Sequence, residues 1–97
     1  MKHGGYVYIL TNKHSTVLYV GVTSDLTKRI IRHKNGFYEN AFSKRYHVTK
    51  LVYYEEFDSI VKAITREKQL KAGSRQKKMN LVNQHNPEWK DLFDNFV

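Results

Sequence analysis

Five residues stand out for the chemistry they could do, Tyr8, Tyr19, Arg29, His33 and Glu67, each on or beside the inward face of an expected strand or helix. In a helix begun near Ser24, Leu26 and Ile30 mark the inward stripe. At about 100° per residue, His33 lies about 20° from the Leu26 direction and Arg29 about 60° from it. Arg29 and His33 are therefore i,i+4 neighbours at the edge of the buried face. In a later helix Ile60 and Ile64 define the stripe, and Glu67 falls about 20° from Ile60. A carboxylate on that line is costly unless it is paired or holds a cation. Tyr8 and Tyr19 fall in the two strands of one hairpin, and Gly21 follows Tyr19 on the same nominal face. A glycine there permits close backbone or ligand approach beside a phenol. If Arg29 faces the same pocket, its planar fork of donors can clamp a phosphate.

Each of these residues also has a plainer reading. Glu67 can form a structural salt bridge to one of many lysines and arginines. Arg29 can cover the core with its methylenes, and His33 can be a satisfied boundary histidine. Seven tyrosines in 97 residues is a high count, yet Tyr6, Tyr8, Tyr19, Tyr53 and Tyr54 can all serve as core and boundary packing.

The elements that must position these groups follow from periodicity. Tyr6 to Thr11 and Val17 to Val22 are rich in β-branched and aromatic residues and read as strands. The polar stretch Asn12 to Thr16 suits an antiparallel hairpin and is far too short for a parallel crossover. Ser24 caps the first helix, Asp25 sits in its first turn, and Gly36 ends it just after Asn35. Glu39 to Tyr46 is expected as a short helix carrying Ala41, Phe42 and Tyr46. Thr49 to Phe57 reads as the third strand, with Leu51, Tyr53 and Glu55 on one face and Val52, Tyr54 and Glu56 on the other. Asp58 or Ser59 caps a long helix reaching about Lys71, with Gly73 as terminator. Arg75 to Gln84 forms a further helix with Met79, Leu81 and Val82 as its apolar residues. Trp89, Leu92, Phe93 and Phe96 pack the tail onto the body, because leaving them in water forfeits burial energy. This order describes a single domain over residues 1–97, an α/β chain of the α+β type with an antiparallel sheet covered by helices.

Composition narrows the partner. The net charge is +8, from 17 Lys+Arg against 9 Asp+Glu. Lys28 to Lys50 holds seven basic residues and the lone acid Glu39, and Lys62 to Lys78 holds seven and the lone acid Glu67. Segregation of this kind steers a polyanion and neutralises phosphates; the plainer reading is charge that keeps a protein soluble. Cysteine is absent, which removes disulfides and thiolate metal sites and leans toward the cytosol. No apolar run approaches the roughly 20 residues that span a bilayer, and the N-terminus lacks the apolar stretch of a signal peptide. No histidine pair has zinc spacing, no glycines form a phosphate loop, and no serine sits in a nucleophile elbow. Nothing has the two-helix cadence of a helix-turn-helix reader, although basic helices can bind phosphates without reading sequence.

Gly5-Tyr6-Val7-Tyr8-Ile9-Leu10, followed by Leu18-Tyr19-Val20-Gly21-Val22, resembles the paired signature of GIY-YIG nuclease domains. Tyr6-Val7-Tyr8 stands for the first triplet and Tyr19-Val20-Gly21 for the second. The resemblance continues through Thr23 to His33, Ala63 to Lys71 and Asn86-Pro87-Glu88-Trp89. It covers nearly the whole chain and is closest to the short, stand-alone bacterial members described as predicted endonucleases. The paired triplets, Arg29-x3-His33 and Glu67 in order make it specific.

The resemblance implies a three-stranded antiparallel sheet flanked by helices and a metal-dependent phosphodiesterase site. Carried onto this chain, Tyr19 takes or relays the proton of the attacking water, and Tyr8 assists or orients it. Arg29 stabilises charge on the scissile phosphate, and His33 orients or exchanges a proton. Glu67 holds Mg²⁺ or Mn²⁺. A phenol with an ordinary pKa of about 10 is a poor base at neutral pH, so nearby cations must depress it or a metal-held hydroxide must attack. The sequence leaves both open. Two departures stand out: the first triplet opens on Tyr6 rather than glycine, and the late supporting asparagine of many members has two candidates here, Asn80 and Asn86, neither in the usual context. The expected function is a metal-dependent DNA endonuclease in the cytoplasm, monomeric and without membrane association. The alternatives are a nucleic-acid-binding module of weak or no activity on the same scaffold, and a protein-interaction domain whose charge meets an acidic partner.

Overall fold

A computed structural model describes residues 4–38 and 40–96, the side chains of residues 95 and 96 excepted. The elements are β1 (Gly5–Thr11), β2 (Leu18–Thr23), α1 (Leu26–Lys34), α2 (Ala41–Tyr46), β3 (Lys50–Phe57), α3 (Ile60–Ala72), α4 (Arg75–His85) and a 3₁₀ turn, Leu92–Phe96. The strands form one three-stranded antiparallel sheet in the order β2-β1-β3. The first hairpin turns on Asn12, whose Oδ1 accepts from the Thr16 and Val17 amides at 2.8 and 3.2 Å. That side chain replaces backbone partners the loop lacks.

Both faces of the sheet are covered, which is why central β1 reads as a nearly continuous apolar run. On one face Val7, Ile9, Val20, Val52 and Tyr53 pack with Ala63 and Leu70 of α3 and Val82 of α4. On the other, Tyr8, Leu10 and Leu51 pack with Leu26 and Ile30 of α1 and with Val48. The tail returns as expected: Trp89 lies against the first cluster, and Leu92 and Phe93 against the second. Asp91 anchors it, accepting from the Leu51 amide at 3.2 Å and pairing with Lys34 at 2.5 Å.

The periodicity departs from the observed faces in places that have local causes. β3 does not alternate regularly. Ile9 pairs with Tyr53 but Leu10 with Leu51, so Val52 is an extra residue in the ladder. Such a bulge turns two successive side chains to one side: Val52 and Tyr53 share one cluster, while Leu51 and Tyr54 belong to the other. The cap of α1 is Asp25 rather than Ser24, its carboxylate accepting from the Lys28 amide at 3.1 Å. Thr23 Oγ1 accepts from the Asp25 amide at 3.1 Å and holds the chain extended one residue longer. In α3 the small Ala63 lets the helix close on the sheet, so the inward line runs Ile60, Ala63, Glu67, Leu70, and Ile64 turns outward, 37% exposed. Gly36 ends α1 with φ of 87°, a conformation costly to any side chain. Gly73 caps α3 with φ of −76°, so its turn is extended rather than left-handed. The short helix α2 is capped by Asn40; Glu39 and the Phe96 side chain, both used in reading the sequence, lie outside the described residues.

Candidate active site

The register of β1 against β2 brings Tyr8 opposite Gly21, and Tyr19 opposite Leu10 one pleat further along the same face. Tyr8 is completely buried. Its ring lies over Gly21: a β-carbon built there would stand 2.3 Å from the Tyr8 hydroxyl and 2.4 Å from Cζ. The glycine thus makes room for a phenol that would otherwise be pushed off the sheet. Arg29, one turn into α1 and half-buried, donates from Nη1 to the Tyr8 hydroxyl at 3.1 Å. The phenol oxygen accepts this charge-assisted bond, which fixes the guanidinium against the ring.

His33, one turn further along α1, is fully buried rather than at the boundary. Its Nδ1 is 3.1 Å from the Val48 carbonyl oxygen. A carbonyl only accepts, so Nδ1 carries the proton and Nε2 is the basic nitrogen of the neutral ring. The imidazole lies beside Tyr19, ring centroids 6.2 Å apart, and edge-on to Tyr38 at 5.7 Å. Tyr19 is half-buried, stacks on Phe42 at 6.1 Å, and accepts from Asn40 Nδ2 at 3.1 Å.

The Arg29 side chain also opens on a surface cleft of about 460 Å³ lined by Thr23, Ser24, Asp25, Lys28, Arg29 and Arg32. Three cations against one carboxylate, which is occupied in capping α1, make this concavity suited to an anion. At its side, Tyr6 donates to Glu56 at 3.3 Å. Burial first, then the Glu56 charge, pushes the Tyr6 phenol up from its ordinary 10.0. The residue that replaces the expected glycine is thus held on the β3 side and leaves Tyr8 in place.

Glu67 enters from the other face. It lies on α3, which packs more closely on β1 and β2 than on β3, so it sits toward the β2 edge of the sheet, on the face opposite Tyr8 and Tyr19. Its carboxylate is 2.8 Å from Lys71 Nζ, and its side chain is 14% exposed while that of Lys71 is 54% exposed. Tyr8 with Arg29, and Tyr19 with His33, are thus two direct pairs, whereas the contact described for Glu67 is an ion pair within its own helix. Among the described residues no group of three His, Cys, Asp or Glu converges as a metal cage. A single carboxylate does fit a hard cation that keeps most of its waters and takes further oxygens from a phosphate, the habit of Mg²⁺. The exposed lysine side chain is a compact point charge on a long stem, which such an ion can replace at the carboxylate.

Neither asparagine singled out from sequence reaches these pairs. Asn86 is buried and staples the chain, donating to the Val52 and Lys90 carbonyls at 3.0 and 2.9 Å. Asn80 is exposed and accepts from Gln76 at 2.8 Å. The asparagine beside a phenol is Asn40, which periodicity had no means to place, since it precedes a helix of only six residues.

Comparison with known proteins identifies the family. A family profile described as the GIY-YIG catalytic domain matches residues 4–80. A UPF0213 protein of Staphylococcus saprophyticus is 41% identical over 80 residues, covering 81% of this chain and 94% of its own. One from Syntrophus aciditrophicus is 41% identical over 83 residues, covering 86% and 93%. The solution NMR structure of a UPF0213 protein from Bacillus halodurans superposes with a TM-score of 0.57 at 31% identity, over 91% of this chain and 92% of that one. The chain belongs to the GIY-YIG catalytic domain family, a family of nucleases.

Proposed function

We propose that this chain is a metal-dependent endonuclease that hydrolyses phosphodiester bonds in DNA, with Tyr8, Tyr19, Arg29, His33 and Glu67 as its working groups. The observation that carries the reading is the Arg29–Tyr8 bond, which holds a guanidinium at the wall of a cationic cleft. The scissile phosphate lies in that cleft with a non-bridging oxygen on Arg29, whose fixed charge stabilises the extra charge of the transition state. Lys28 and Arg32 engage neighbouring phosphates. Tyr8 orients Arg29. Water attacks phosphorus as the bond to the leaving oxygen breaks; Tyr19 takes the proton of the water, and a proton returns to the leaving oxygen. His33, its Nδ1–H tied to Val48, orients Tyr19 and exchanges protons through Nε2. Glu67 would hold Mg²⁺ or Mn²⁺, an ion that would supply charge neutralisation to the nucleic-acid backbone.

The test is cleavage of labelled duplex, nicked and branched DNA by the purified chain with Mg²⁺ or Mn²⁺. Metal-dependent cleavage that falls at least about a hundredfold in Arg29→Ala and Glu67→Ala is expected. Cleavage that persists unchanged in both variants sinks the assignment. The Glu67–Lys71 pair favours a second reading, a nucleic-acid-binding module without turnover. It predicts salt-sensitive binding with no metal-dependent product.

A further inference from the structure

The half-buried phenol of Tyr19 is approached by one side chain whose orientation is already decided elsewhere. Asn40 caps α2 through a reciprocal capping box: its Oδ1 accepts from the Ser43 amide at 2.9 Å, and Ser43 Oγ is 3.2 Å from the Asn40 amide. An amide side chain can normally turn its oxygen and nitrogen end for end. Here the cap commits the oxygen to Ser43, so the NH₂ must face outward, and it donates to the Tyr19 hydroxyl at 3.1 Å. Ser43 is itself fully buried, which fixes the box in place. A capping residue needs only its acceptor. The donor is surplus to helix capping, and the structure aims it at a phenol oxygen.

We propose that Asn40 is a positioning residue for Tyr19, fixing the direction of its hydroxyl and favouring its deprotonated form. The assignment rests on the nuclease reading above for its functional meaning, but the contact can be tested without it. A donor on a phenol oxygen stabilises the phenolate and directs the remaining lone pairs away from α2. The ring has little freedom to escape, with Phe42 stacked on one side and His33 tilted against it. Among the described residues, the charged and titratable groups near Tyr19 include His33 from α1 and, diagonally across the β1–β2 pair, Tyr8 with its Arg29 partner.

Asn40→Asp and Asn40→Ser separate the two jobs of this side chain. Both retain an oxygen that can cap α2; neither retains the NH₂ group that reaches Tyr19. The primary measurement is the titration of the Tyr19 ring by NMR in the full chain with labelled tyrosine, assigned by comparison with Tyr19→Phe. The Tyr19 titration is expected to move up by about one pH unit in Asn40→Ser, and further in Asn40→Asp, where a carboxylate faces the phenolate. Cleavage at neutral pH should fall about tenfold in kcat with KM for DNA nearly unchanged, and the basic limb of the pH profile should move with the phenol. An unchanged Tyr19 titration in both variants overturns the proposal, whatever happens to turnover. A shifted titration with unchanged kcat overturns the positioning role. A wild-type chain that cleaves no DNA removes the nuclease reading, while the coupling of Asn40 to Tyr19 still stands or falls on the titration.

Discussion

Replacing Gly21 by alanine should cost far more than one added methyl group ordinarily does. The backbone at Gly21 lies outside the left-handed region, so alanine meets no conformational penalty there, and the cost comes from contact alone. The new β-carbon would sit 2.3 Å from the Tyr8 hydroxyl, 2.4 Å from Cζ and 2.8 Å from Cε1. The phenol cannot step aside cheaply, because Tyr8 is fully buried and Arg29 holds its hydroxyl. Overpacking of this kind costs about 1–3 kcal/mol. If the ring moves, the charge-assisted bond from Arg29 is lost as well, for about another 1.5–3 kcal/mol. We expect a loss of about 3 kcal/mol in urea denaturation with unchanged m-value, or more than about 10 °C in Tm for a chain of this size. A double-mutant cycle identifies the cause. Leucine at position 8 lacks all three clashing atoms, so in Tyr8→Leu the same Gly21→Ala change should cost less than about 0.5 kcal/mol. An equal penalty in both backgrounds, or a Gly21→Ala chain as stable as the parent, would refute the placement of Tyr8 over Gly21.

Two further expectations are independent of that contact. Lys28→Ala and Arg32→Ala, at the cleft wall, should each weaken DNA binding across all sequences and reduce the slope of log K against log salt by about 0.9; a slope that does not change removes these side chains from the phosphate contacts. Burial first, then its hydrogen bond to Glu55, pushes the Tyr53 phenol up from 10.0 to about 12. The folded chain thus holds this proton more tightly than the unfolded chain. The linked stability, about 2–3 kcal/mol, is fully present below pH 10 and is lost as pH rises through about 12. Denaturation of wild type and Tyr53→Phe across that window should converge; parallel loss in the two would show that Tyr53 is not the group responsible.

Much of the architecture was legible because it depends on local pattern. Hairpin length required antiparallel β1 and β2, and helix periodicity set Leu26, Ile30 and His33 on one line, all of them buried. The misreadings have a common origin in contacts the pattern does not encode. Alternation along β3 fails at Val52 because the bulge is a property of its pairing with β1. Ile64 turns outward because the close approach of α3 is set by Ala63 against the sheet.

The same division runs through the candidate site. Sequence alone determined which chemical groups the chain owns and, through strand and helix repeats, that Tyr8 and Tyr19 share one hairpin and Arg29 and His33 one edge of a helix. Those repeats are imposed by backbone geometry and are the same in any protein. Tertiary structure decided what each group meets. Strand order makes β1 central, which buries Tyr8 and leaves Tyr19 partly open on β2. Antiparallel register sets Tyr8 over Gly21, and the return of the chain through α2 carries Asn40 to Tyr19. Glu67 was drawn inward by its place on the helix, yet its contact with Lys71 and its approach from the opposite face follow from how α3 lies on the sheet. Long-range pairing and packing bring together residues separated by many turns of chain, and no local period records where those chains cross.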